Sequence, residues 1–157
     1  MDSMRNLQTK NGMVINLDER HYYVSRSLEE KNEGPYCFRS IKEAAEAIPD
    51  GNKETPSVLY LEQDVYWTNG APDRVGLVIQ KEWLTLCGLG KKPEDTVIAD
   101  NRGHMVNAYP SDNSASSPAQ TMIVNGNGFR AENLTIGNYL NIDLEYPLDP
   151  AQNRKRY

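Results

Sequence analysis

The feature that most constrains this chain is a series of apolar runs too short to be helices. Val58–Leu61, Leu77–Ile79, Leu84–Cys87, Thr96–Ile98, Met122–Val124 and Phe129–Ile136 are rich in aliphatic and β-branched residues, with Gly, Asn, Asp and Pro between them. Runs of that length and composition, bounded by turn residues, read as strands. Three of them centre near residues 59, 78 and 97, nineteen residues apart. A further twenty-six separate 97 from 123, with an Asn/Ser/Pro-rich insertion at 107–119. Repeats of that order predict a stacked β-solenoid. A β-sandwich or small barrel is the alternative, because spacing alone does not separate stacked coils from facing sheets.

One segment breaks the strand pattern. Ser40-Ile41-Lys42-Glu43 has the spacing of a capping box, in which hydroxyl and carboxylate satisfy backbone donors at a helix start. Ile41, Ala44, Ala45 and Ile48 follow at i, i+3, i+4 and i+7, and Pro49-Asp50-Gly51 ends the segment. A helix this short is marginal in water, so its apolar stripe must dock on something. The first coil of a solenoid has no neighbour beneath it, and this helix is placed to cap it. Residues 1–35 are polar and broken, with a short strand at His21–Val24, and read as a leader or wrapping segment. Residues 36–146 read as the first coils of the domain, and 147–157 as a tail or truncation point.

Composition narrows the function classes. A length of 157 residues, 38% hydrophobic and 25% charged, supports one globular domain with a real core. A net charge of −5 argues against a nucleic-acid partner, which needs a basic stripe. The basic run Arg154-Lys155-Arg156 reads as a solvated tail. No apolar stretch approaches the roughly 20 residues that span a bilayer, so no membrane partner is expected. The opening residues carry no signal-peptide pattern. Cys37 and Cys87 fit no zinc or redox spacing and read as free, partly buried thiols, with a disulfide as the alternative. His21 and His104 have no ligand-spaced partners, so no metal is expected.

Several segments together resemble the N-terminal half of the pectinesterase (pectin methylesterase) family. Phe38-Arg39-Ser40-Ile41 with Glu43–Gly51 is similar to that family's opening helix and turn. Leu84–Gly90 with Asp95-Thr96-Val97-Ile98 resembles its "ITLxGxG…TVI" segment, and Gly128–Asn138 its "GFxAxNLTxxN" segment. The resemblance covers about residues 36–146. It implies an all-β fold, a right-handed parallel β-helix of the pectin-lyase type, incomplete and closed at its start by the helix. It also implies hydrolysis of galacturonan methyl esters without a cofactor, in a family usually secreted or periplasmic. The family's early Gly-x-Tyr-x-Glu motif corresponds to Asp64-Val65-Tyr66-Trp67-Thr68 and keeps only the Tyr. This departure points to a divergent, bacterial branch.

The resemblance places the chemistry on motifs that match no position here. A carboxylate nucleophile needs a cation to orient it, a second carboxyl to shuttle the proton, and donors where negative charge develops. No Asp, Gln or Arg motif of that set is found, so no catalytic residue is assigned. The chain is expected to be inactive, or nearly so, by itself. Substrate-binding candidates are Ser116 and Ser117, near where the family places a substrate-contacting Thr, with Ser114 beside them. Trp67 joins them, since its ring can stack on a sugar, and Tyr66 and Tyr109 are weaker candidates of the same kind. Asp143, Glu145 and Asp149 read as a solvated loop, as do Asp100, Arg102 and His104. Asn133, Asn138 and Asn141 read as turn residues that satisfy backbone groups. Two other functions stay open: a non-catalytic β-helix module that binds polysaccharide, and a pectate-lyase-like enzyme. The second would need a calcium site of several carboxylates, and no compact set offers one.

Overall fold

The computed structural model describes residues 4–68, 77–100 and 121–138. It opens with an antiparallel hairpin, β1 (Arg5–Gln8) and β2 (Val14–Leu17), in which Leu7 faces Ile15 and Arg5 faces Leu17. Leu7, Ile15 and Leu17 are buried while Gln8, Val14 and Asn16 are exposed, the period of two that a one-sided hairpin requires. Strands β3 (His21–Val24) and β4 (Cys37–Phe38) follow, then the helix α1 (Ile41–Ala47). The remaining strands are β5 (Ser57–Leu61), β6 (Asp64–Trp67), β7 (Leu77–Gln80), β8 (Leu84–Gly88), β9 (Thr96–Asp100), β10 (Met122–Asn125), β11 (Arg130–Glu132) and β12 (Thr135–Asn138).

Apart from the hairpin, every described sheet is parallel. The largest runs β11-β8-β5-β3-β4, the next β12-β9-β6, and the smallest β10-β7. One apolar cluster draws on all three sheets, with Leu59, Leu61, Leu86, Ile79 and Ile98 each at 0% exposure. The segment read as a leader contributes β1, β2 and β3, and β3 lies inside the five-stranded sheet between β5 and β4.

Ser40 caps α1 as its spacing implies. Its Oγ accepts from the Glu43 backbone N–H at 3.1 Å, and its hydroxyl lies 3.4 Å from the Glu43 carboxylate. The far end of α1 is closed by Lys81, whose ammonium donates to the Ile48 carbonyl at 2.7 Å. A cation there also opposes the negative end of the helix dipole. Ile41, Ala44 and Ala45 are buried, and α1 packs against β3, β4 and β7.

The expected right-handed parallel β-helix is overturned. The strands fall into separate parallel sheets with one helix laid against them and an antiparallel hairpin in front, and the described residues form no closed solenoid. The arrangement is closer to a parallel α/β sheet than to a capped cylinder. The nineteen-residue interval is the root of the error. Leu59 pairs with Leu86 and not with Val78, while Val78 pairs with Ile123 and Val97 with Val65. The runs at 59, 78 and 97 therefore sit in three different sheets. An apolar run specifies burial; which distant strand it pairs with is a nonlocal choice that periodicity does not encode.

Among the described residues, two without a glycine's freedom take left-handed backbone, Trp83 at φ 50° and Asn133 at φ 51°. Asn tolerates that region because its short amide bonds locally. Here the Asn133 Nδ2 donates to the carbonyls of both Gly88 (2.9 Å) and Gly90 (2.8 Å). The turn after β8 and the turn after β11 are thereby tied together, and a Cβ on Gly88 would strike the Asn133 carbonyl. The run read as one strand over Phe129–Ile136 is split into β11 and β12 by this residue.

Candidate ligand-binding cleft

Alternation gives the five-stranded sheet two unlike faces. Tyr22, Val24, Leu59, Leu61, Leu84 and Leu86 point into the core and are buried. The intervening residues form rows on the other face, one of them running Cys37, Tyr23, Tyr60, Cys87 and Glu132 across β4, β3, β5, β8 and β11. The hairpin covers part of this outer face. The Arg5 guanidinium reaches the Cys37 Sγ at 3.6 Å and donates to the Asn32 carbonyl at 3.0 Å, pinning the loop before β4.

The hairpin turn is fastened by a carboxylate. Glu62, 1% exposed, accepts from the Lys10 backbone N–H (2.9 Å), the Tyr23 hydroxyl (2.8 Å) and the Gln63 N–H (2.9 Å). A buried carboxylate is tolerated when such donors replace its hydration. Burial, helped by this bond to Glu62, pushes the Tyr23 phenol well above the ordinary tyrosine range. Asn11 adds a second tie, donating to the Leu89 carbonyl at 2.9 Å.

Where the hairpin stops short of covering β5, β8 and β11, a cleft of about 670 Å³ remains. Its floor is Tyr60, Cys87, Glu132 and Asn133, and its wall is made by Met13, Val14 and Asn16 of the hairpin together with Asp18 and His21. The His21 Nδ1 lies 2.8 Å from Asp18 Oδ1, and the imidazole stacks on the Tyr60 ring with centroids 6.1 Å apart. Burial acts to raise the Asp18 carboxyl, but the His21 contact and the Arg20 backbone N–H outweigh it and hold the group below the ordinary carboxylate value. Glu132 is paired with Arg130 at 2.7 Å along its own strand. Among the described residues the lining holds two carboxylates and no Lys or Arg.

Cys, His and Asp in one cleft are the residue types of a nucleophilic triad, but their geometry is not that of one. Tyr60 stands between the others: Cys87 pairs across from Tyr60, whereas His21 pairs across from Val58, and the Tyr60 ring stacks on the imidazole. The Cys87 thiol sits 3.8 Å from the Gly88 carbonyl and has no bond to His21. Burial, reinforced by Glu132, raises its pKa, which disfavours the thiolate a nucleophile requires. Among the described residues of the cleft no acid, base and nucleophile are assembled together. Among the described residues no group of His, Cys, Asp and Glu is arranged to hold a metal ion. What the cleft offers is an aromatic ring with carboxylate and amide groups at its rim, beside the exposed apolar side chains of Met13 and Val14. That composition suits recognition of a small polar unit with an apolar face.

Of the main candidates for binding substrate, Trp67 is the one among the described residues, and it does not line this cleft. Trp67 ends β6, at one side of the three-stranded sheet, and is 49% exposed. Ser114, Ser116 and Ser117 lie outside the described residues, as do Tyr109, Arg102, His104, Asn141 and the Asp143, Glu145 and Asp149 loop. Tyr66 is buried and donates to the Glu62 carbonyl at 2.7 Å, so its ring is core rather than platform. Asp100 is buried and accepts from the Thr68 hydroxyl at 2.7 Å. Cys37 and Cys87 are both free. The cleft is not legible as a motif in the sequence because its residues come from five strands, β2, β3, β5, β8 and β11. The available signal was the alternate-position pattern His21/Tyr23, Val58/Tyr60, Thr85/Cys87 and Arg130/Glu132, which places unlike residues on the face opposite the leucines.

No helix among the described residues is long and apolar enough to cross a membrane. No protein-family model, curated protein or solved structure matches the chain.

Proposed function

We propose that this chain binds polysaccharide through the cleft beside Tyr60 and is the binding part of a pectinesterase-like protein, with no hydrolytic activity of its own. The observation that carries the reading is the Tyr60 ring, held by His21 at the floor of an open cleft with Asp18, Glu132 and Asn133 around it. A pyranose ring presents C–H groups to an aromatic face and hydroxyls to amides and carboxylates at its edge.

The charge in the cleft selects among polymers. Two carboxylates in a lining without Lys or Arg, on a chain of net charge −5, disfavour a polyanion such as de-esterified galacturonan. Methyl esterification removes that charge. Methyl-esterified galacturonan, the substrate implied by the resemblance of residues 36–146, is therefore the favoured occupant.

Calorimetric titration with methyl-esterified and de-esterified galacturonan tests this, with methanol release followed in parallel. Binding to the esterified polymer is expected, weaker binding to the acid form, and no methanol. Tyr60→Ala should weaken binding about tenfold or more, as loss of a central aromatic anchor does, while Trp67→Ala leaves it unchanged. No binding to either polymer, or full binding by Tyr60→Ala, would reject the reading of the cleft. Methanol release would reject the non-catalytic assignment.

A further inference from the structure

The hairpin that walls the cleft is joined to the body by side chains. Among the described residues β1 and β2 form a two-stranded sheet of their own, while β3 to β12 pair in the parallel sheets. Leu7, Ile15 and Leu17 supply the hairpin's buried apolar contacts. At its turn the Lys10 N–H donates to Glu62 and the Asn11 amide donates to the Leu89 carbonyl. At its start Arg5 donates to the carbonyls of Asn32 and Lys31. The chain then enters β3 through a tight turn, Asp18–His21, closed by two backbone bonds of 3.1 and 3.2 Å. The Asp18 carboxylate also accepts from the Arg20 N–H at 2.8 Å, so this turn keeps its shape without the hairpin. A unit held by few contacts beside a self-sufficient turn opens at a lower cost than the whole domain unfolds.

The cleft spans this junction. Met13, Val14 and Asn16 of its wall belong to the hairpin, and Tyr60, Cys87 and Glu132 of its floor belong to the sheet. A ligand that touches both makes contacts that exist only while the hairpin is docked, so binding and docking are thermodynamically linked. We propose that the hairpin is a hinged clasp, which swings as a unit about Asp18–His21 and closes on a ligand in the cleft through the Glu62 and Asn11 ties. Closing on a sugar rests on the reading of the cleft given above, whereas the swinging motion does not. A reporter of that motion lies under the hairpin. Cys37 is buried, with the Arg5 guanidinium 3.6 Å from its Sγ, and its thiol becomes accessible when the hairpin leaves.

Iodoacetamide labelling of Cys37 in the whole chain, resolved from Cys87 by peptide mass spectrometry, reads the opening without any ligand. Glu62→Ala and Asn11→Ala each cut a tie at the hairpin turn and should speed Cys37 labelling about tenfold. Leu86→Ala weakens the inner core and should speed amide exchange in β5 and β8 about a hundredfold. It should leave Cys37 labelling within about twofold, as expected of independent sites. The milder Ile98→Val serves the same purpose if Leu86→Ala does not fold. Methyl-esterified galacturonan should slow Cys37 labelling in proportion to the sites it fills. Labelling that rises in step with core exchange in Leu86→Ala or Ile98→Val means that Cys37 is uncovered only by global unfolding, and overturns the clasp. So does labelling indifferent to both turn variants, or labelling unslowed by polymer that calorimetry shows to be bound. Absence of polymer binding overturns the sugar reading alone, and the variants' labelling still decides the hinge.

Discussion

The two faces of the five-stranded sheet are made from alternate residues of the same strands and do opposite work. On the inner face Leu59, Leu61, Leu84 and Leu86 are wholly buried and interchangeable in chemistry. On the outer face the residues between them, Val58, Tyr60, Thr85 and Cys87, differ in size and polarity and are partly covered by a hairpin held through Glu62 and Arg5. The contrast teaches that stability and recognition are separated by one residue step along a strand. Changes at the inner positions should act on folding, and changes at the outer positions on binding.

The largest effect expected is at the core. Leu59→Ala or Leu86→Ala should lower stability by about 3 kcal/mol through lost burial and a residual cavity, read as a reduced urea midpoint. Tyr60→Ala, next to Leu59 in sequence, should lower it by no more than about 1.5 kcal/mol, since its ring is half-exposed. Equal losses at residues 59 and 60 would break the comparison. Glu62→Ala comes next. It strands the Tyr23 hydroxyl and the Lys10 N–H without acceptors, which costs about 2 kcal/mol, and it should raise proteolysis at residues 9–13 as the hairpin turn comes free. Asn133→Ala removes two hydrogen bonds and keeps a left-handed backbone, for a loss of about 1–2 kcal/mol. Asn133→Gly relieves the backbone and should lose less, so the difference between the two separates conformational strain from bonding.

The smallest effect is one of pH. Asp18 is held below its ordinary value of 3.8 in the folded chain. A carboxyl with a depressed folded pKa stabilises above its unfolded value, and that contribution disappears as pH falls below 3.8 through the folded value. Asp18→Asn should therefore lower stability slightly at neutral pH and flatten the acid limb of the stability curve, the two proteins converging below the folded value. An unaltered acid limb would remove the Asp18–His21 pair from the account.

The sequence makes the elements of this fold more legible than their assembly. Ser40 and Glu43 mark the start of α1 because capping is local chemistry, and the runs at 58–61, 84–87 and 96–98 mark β5, β8 and β9 because each buries its apolar side chains. The hairpin leaves a weak signal because Leu7, Ile15 and Leu17 alternate with Asn and Gln over only four residues per strand. β6 was hidden by the charge of Asp64 and the polar residues beside it. Pairing was not legible at all. The equal spacing of three runs mimics a coil repeat, whereas those runs belong to different sheets. The candidate cleft shared that fate, for Tyr60, Cys87 and Glu132 become neighbours only once β5, β8 and β11 are in register.

Hydrogen–deuterium exchange with and without methyl-esterified galacturonan locates any bound polymer on one face or the other. Slowed exchange is expected in residues 13–21 and 130–133, with no change at residues 64–68 around Trp67. Protection centred on Trp67, or none on the outer face of the sheet, would contradict binding at the cleft.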